Sequence, residues 1–356
     1  MDYRSLGASG LNVPVIGLGT ANFRAEANPP EGIGEKTAAR LADIAIERGA
    51  AFFDTANSYA SSEELLGKIL AKRRSHVLLA TKAGLRGGSG PNDTGATRHH
   101  LLAACELSLK RLGTDYIDLF QIHCFDGRTP VEETLSTLDG LVRSGKVRYI
   151  GCSNYAGWQL MKSLAASDRN GWARFVSHGI AYSLAVRDSE WELLPVGADQ
   201  NVASLVWGPL AGGVLSGKYS RSGTPLSAMP QPGSAFGALP EGQLYDIIDS
   251  LGDIARESGA SHSQIALAWL LQRPTVATLF VGASTPEQLE SSLDALDLRL
   301  TGDQFARLDD ASARPAAYPY ALQLGIGAER NVRLGGGGNV RVDRALAGYG
   351  IPLSNA

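Results

Sequence analysis

The chain has 356 residues, 44% of them hydrophobic and 19% charged, and its 33 basic residues against 36 acidic ones leave a net charge of -3. This mixture supports a large globular core and excludes a disordered polyelectrolyte or a basic surface built to hold nucleic acid. No apolar run approaches the roughly 20 residues of a membrane-spanning helix, so membrane insertion is not expected. The three cysteines, Cys105, Cys124 and Cys152, form no CxxC motif, and no secretory leader precedes Tyr3. The expected compartment is therefore a reducing cytoplasm. The six histidines never fall into HExxH, so neither a structural nor a catalytic metal is expected.

In chain order, "DYRSLGASGLNVPVIGLGT" reads as a strand, a turn, a second short strand and a stronger apolar one. Helical periodicity and short apolar strands then alternate. "EKTAARLADIAIERG" precedes "AAFFD", "SEELLGKILAKR" precedes "HVLLATK", and "RHHLLAACELSLKRLG" precedes "YIDLFQIH". "PVEETLSTLDGLVRSG" leads to "VRYIGCS", "AGWQLMKSLAASDR" to "RFVSHGIAY", and "NVASLVWGPL" and "VATLFVGAS" follow. With "VIGLG" as the first, this makes eight strand candidates, apolar throughout as in a sheet covered by helices. Regular βα repetition and the absence of GxGxxG after an early strand predict a closed (β/α)8 TIM barrel rather than an open dinucleotide-binding sheet. Residues 1–310 are expected to form one barrel domain, with a long Ser/Gly/Pro-rich loop at 219–240 and a peripheral C-terminal extension at 311–356.

Strand ends of such a barrel open on one face, where residues distant in sequence converge. Asp54 ends "AAFFD", Tyr59 follows in the next loop, Lys82 ends "LLATK" and His123 ends "DLFQIH". Singly, each has a structural explanation: a turn cap, a packed ring, an exposed strand end, a rim histidine. Together they compose a carbonyl-reducing site. Tyr59 would give its proton to a carbonyl oxygen, Lys82 would favour the phenolate that forms, Asp54 would hold Lys82, and His123 would orient the carbonyl. No side chain can supply hydride, so this chemistry implies a nicotinamide cofactor.

The words "GLGT" at 17–20, "FFDTANSY" at 52–59, "LLATK" at 78–82, "SLKRLGTDYIDLFQIH" at 108–123, "WGPLAGGVLSGKY" at 207–219 and "VGASTPEQLESSL" at 281–293 resemble the aldo-keto reductase superfamily. The branch it resembles includes potassium-channel β subunits and many bacterial reductases. That resemblance implies an N-terminal hairpin closing the barrel bottom and NADPH lying across the top, with NADH as the alternative. It places catalytic roles on Asp54, Tyr59, Lys82 and His123. It implies cofactor contacts from Gly19, Thr20, Asp54, Ser153, Asn154 and Trp207, from Gly208, Pro209, Leu210, Gly212 and Lys218, and from Gly282, Ser284 and Gln288.

Two departures bear on the cofactor. Gly179 stands where the family commonly has glutamine, and Ser284 where NADPH-preferring members often have Arg or Lys; Ser291 and Ser292 replace a frequent Glu-Asn. The expected substrate is a small carbonyl compound or alcohol, with Ala21, Asn22 and Phe23 on the acceptor side. An alcohol- or sugar-oxidising dehydrogenase and a nicotinamide-binding regulatory subunit are the alternatives, and no motif specifies an oligomeric state.

Overall fold

The computed structural model describes residues 1–25, 32–228 and 239–323. The chain opens with a hairpin of β1 (Tyr3–Ser5) and β2 (Asn12–Pro14), antiparallel with Tyr3 opposite Pro14. The alternation follows: β3 (Ile16–Gly19), α1 (Glu35–Glu47), β4 (Phe52–Asp54), α2 (Ser62–Leu70), β5 (Leu78–Ala83), α3 (Arg98–Leu112) and β6 (Ile117–Ile122). It continues through α4 (Val131–Arg143), β7 (Val147–Ser153), α5 (Gly157–Asn170), β8 (Phe175–Ala181), α6 (Leu193–Gln200) and β9 (Ala203–Trp207). The last elements are α7 (Glu241–Ser258), α8 (His262–Leu271), β10 (Val276–Val281), α9 (Pro286–Leu293) and α10 (Gly302–Ala311). Strands β3 to β10 form a closed parallel barrel in which β10 returns to β3 with Leu279 opposite Ile16. All eight expected strands are present.

Local chemistry explains where the helices begin and end. Thr97, Ser261, Thr285 and Thr301 each accept a backbone N–H at a helix start, satisfying a donor the helix leaves free. Helix α8 is buried on almost every side because α7, α9 and β10 pack around it, and Trp269 within it donates to Asp309 Oδ1 of α10 at 3.0 Å. Among the described residues no helix is long and apolar enough to cross a membrane.

The period-two pleat sorts strand side chains between the barrel interior and the helix layer. Phe52, Ala80, Leu119, Leu205 and Phe280 meet inside and pack against Leu6 and Val13, so the hairpin closes the bottom of the barrel with apolar side chains. Their neighbours Phe53, Leu79 and Phe120 instead join the clusters under the helices. Of the expected long loop, residues 229–238 lie outside the described residues. So does the glycine-rich stretch of the C-terminal extension, which is described only to residue 323. There, Tyr320 stacks on Trp191 at 5.8 Å and donates to Glu192 Oε1 at 2.9 Å.

Candidate active site

The pleat that buries Phe52, Ala80 and Leu119 in the barrel floor determines what stands two residues higher. These are Asp54, Lys82 and Gln121, and His123 follows two residues beyond Gln121. Lys82 Nζ donates to Asp54 Oδ2 at 2.5 Å and to the Thr55 carbonyl at 3.0 Å. Both side chains are nearly out of solvent, 6% exposed for Lys82 and 8% for Asp54. Burial raises the Asp54 pKa, against the opposing pull of Lys82 and Gln121. Burial works to lower Lys82, but Asp54 and Tyr59 outweigh it and keep the ammonium above its ordinary value.

Tyr59 reaches this pair because the loop after β4 prolongs the parallel ladder. Thr55 N donates to Ala80 O and Asn57 N to Lys82 O, both at 2.9 Å, and a turn from Ala56 to Tyr59 then folds the phenol back over β5. Lys82 Nζ lies 5.2 Å from the Tyr59 ring centroid. The Tyr59 and His123 rings meet edge to face at 5.6 Å. Burial, aided by the Lys82 charge, pushes the His123 pKa down to about 3, so its imidazole is neutral over the working range of most enzymes. Thr20, Thr55 and Ser62 lock the base of the loop: Thr20 Oγ1 donates to Asp54 O at 3.0 Å, and Ser62 Oγ lies 2.8 Å from Thr20 Oγ1 and 2.9 Å from Thr55 Oγ1.

Ser153 ends β7 and Asn154 follows it, beside His123. Asn154 Nδ2 donates to the His123 carbonyl at 2.9 Å, and Ser153 Oγ and Asn154 N both donate to the Gly179 carbonyl. The glycine at 179 has a steric basis, since a Cβ there would sit 2.6 Å from Ser153 Oγ. His178, its neighbour, turns the other way into the protein, where Nε2 accepts from Tyr155 N at 3.3 Å.

From Asp54 and Tyr59 a cavity of about 610 Å³ runs across the mouth to the start of α9. Gly19, Thr20, Trp207, Gly208, Pro209, Leu210, Gly212, Lys218, Gly282, Ser284 and Gln288 line it, as do Ala21 and Asn22. Ser153 and Asn154 stand outside this lining. Gly208, Ala211, Gly212 and Gly213 all have left-handed φ values, so the segment after Trp207 bends its backbone around the cavity. At the remote end Gln288 Oε1 accepts from Ser284 N at 2.8 Å, and Ser292 Oγ donates to Gln288 O at 2.9 Å.

Sequence reasoning missed Ser216 and Ser263, which also line the cavity. Ser216 lies inside the quoted "WGPLAGGVLSGKY", so its position was legible. Ser263 stands in the first turn of α8, and only barrel closure brings that turn to the cavity. Gln121 was missed as well, although it has the same parity as Lys82 and His123 on neighbouring strands.

A barrel mouth with this set of proton donors and charges, beside an elongated cavity, defines a nicotinamide-dependent oxidoreductase. The profile of the Aldo/keto reductase family matches residues 15–313, and the chain belongs to that family. It is 36% identical over 338 residues to the oxidoreductase YrpG of Bacillus subtilis, covering 90% of this chain and 100% of that protein. It is 33% identical over 323 residues to the L-glyceraldehyde 3-phosphate reductase of Escherichia coli K12, covering 87% and 92%. It is also 31% identical over 307 residues to a probable voltage-gated potassium channel subunit beta of Arabidopsis thaliana, covering 84% and 92%.

Proposed function

We propose that this oxidoreductase reduces an aldehyde or ketone with NADPH, using Tyr59 as general acid. The observation that carries the reading is the buried Lys82–Asp54 pair set beneath the Tyr59 ring, with a neutral histidine at its edge. When bound, the reduced nicotinamide supplies hydride to the carbonyl carbon. Tyr59 gives its proton to the carbonyl oxygen as negative charge develops there. The ammonium of Lys82 stabilises the phenolate that remains, and solvent returns the proton afterwards. Asp54 keeps the ammonium from swinging out to water. His123, uncharged, offers a ring N–H to the same oxygen without competing for the proton.

The cavity residues fit such a cofactor. Trp207 lines the same cavity as Tyr59 and would supply an aromatic ring for the nicotinamide, and the left-handed backbone from Gly208 to Gly213 curves around space that suits a diphosphate. Lys218 and the hydroxyls of Ser216, Ser263, Ser284 and Ser291 line the same cavity, a donor set that suits the phosphates of NADPH. Ser153 and Asn154 would hold the carboxamide from the β7 side.

A panel of aldehydes, ketones and alcohols assayed in both directions through nicotinamide absorbance tests the reading. Carbonyl reduction is expected, faster with NADPH than with NADH. Y59F should lose about 10²–10⁴-fold in kcat while NADPH still quenches tryptophan fluorescence. Turnover surviving in Y59F, or activity confined to alcohol oxidation, would overturn it.

A further inference from the structure

Gln121 sits on β6 between the charged pair and the apolar floor, and it is 1% exposed. Its Nε2 donates to Asp54 Oδ1 at 3.3 Å, while Lys82 takes Oδ2, so the two carboxylate oxygens have separate donors. Among the described residues the amide oxygen of Gln121 has no hydrogen-bond partner, and the buried Ser177 Oγ on β8 has none either. An unpaired amide oxygen in a barrel core is unfavourable, and a leucine of similar size would avoid it. The contact to Asp54 is the one this side chain gains in exchange.

The surrounding strands leave room for that contact. Gly151 on β7 stands in register with Gln121 on one side and Ser177 on the other. A Cβ on Gly151 would lie 2.4 Å from Ser177 Oγ and 3.3 Å from Gln121 Cγ. Any larger residue would push the glutamine toward Asp54 or out of its rotamer. The titratable groups around Asp54 are Lys82 from β5, Tyr59 from the loop after β4, and His123 from the end of β6.

We propose that Gln121 is a positioning residue for the reaction: its amide fixes the Asp54 carboxylate so that the other oxygen faces Lys82, and thereby sets the ammonium against Tyr59. The proposal rests on the roles assigned above to Asp54, Lys82 and Tyr59. A hydrogen bond donated to a carboxylate favours its ionised form, so removing the donor makes Asp54 take up a proton at higher pH. Once Asp54 is protonated, Lys82 loses its counter-charge and its anchor.

The test compares full-length wild type, Q121L, Q121E and Y59F. In Q121L, kcat should fall about tenfold with the carbonyl KM and NADPH quenching within about twofold, and the acid limb of kcat should move up by about one pH unit. Q121E can donate to Asp54 only while its new carboxyl is protonated, so its kcat should rise more steeply than the wild type's as pH falls from about 8 to about 6. It is close to isosteric, and it decides the matter if Q121L folds poorly. A purely structural role would lower the unfolding temperature of both variants and leave their kcat profiles at the wild-type pH; that result overturns the proposal. Y59F separates the two levels: active Y59F sinks the underlying site assignment, whereas inactive Y59F with a wild-type Q121L profile sinks the role of Gln121 alone.

Discussion

The two ends of the cavity are built on different principles. At the Tyr59 end, three adjacent strands deliver Asp54, Lys82 and His123 from a pleated wall, and a buried ion pair and a hydroxyl cluster hold the loop above them. Toward α9 the lining is loop backbone and neutral serines, and Lys218 is the cation among the described lining residues of the whole cavity. Rigid strands and a desolvated charge pair make the first end intolerant of change. The second is exposed and composed of small donors, so its substitutions should alter preference rather than abolish function.

The sharpest break in that contrast is K82M. It removes the ammonium beside Tyr59 and should reduce kcat by about 10³-fold. It also leaves Asp54 buried without its counter-ion, which should destabilise the fold by about 3–5 kcal/mol in urea unfolding at neutral pH. The double variant D54L/K82M, with neither charge, should recover most of that stability and none of the activity. Recovery of both together would show that the pair is structural only.

Acid should loosen the histidine-bearing side next. Burial and the Lys82 charge hold His123 at about 3, and burial holds His178 at about 4. Both values lie below the ordinary histidine value near 6.5, so the unfolded chain binds these protons more readily than the folded one. Stability is therefore greatest above about pH 6.5 and declines as pH falls toward the folded values, by about 2 kcal/mol per histidine between pH 7 and pH 5. Urea titrations across that range should show the decline, and H178M should remove its share. A flat profile would mean that neither imidazole is buried as neutral.

The smallest effect belongs to the permissive end. S284R adds a charged fork where Ser284 now offers a hydroxyl, and it should raise the NADPH-to-NADH ratio of kcat/KM by about tenfold, near 1.4 kcal/mol. An unchanged ratio would place the discriminating phosphate away from α9.

Much of the fold was legible because its signals are local. Apolar runs bounded by glycine, amphipathic helices and the count of alternations depend on neighbours a few residues apart. The same is true of parity: Phe52 and Asp54, Ala80 and Lys82, and the series Leu119, Gln121 and His123 are separated by two, so the pleat puts each set on one face. Their place at the end of an apolar run marked Asp54, Lys82 and His123 as candidates. Gln121 has the same parity, but a glutamine on a strand carries no chemical label until its partner is known.

What the sequence by itself determined was the set of elements and their order, since these follow from short-range periodicity. Only the tertiary structure decided which inward residues meet. Register between neighbouring strands gave Gln121 to Asp54 and made Ser153 occupy the space beside Gly179, and barrel closure carried the first turn of α8, with Ser263, to the same cavity as Ser216. Such contacts join residues tens of positions apart, and no local pattern encodes them because they arise when strands choose partners and the sheet closes on itself.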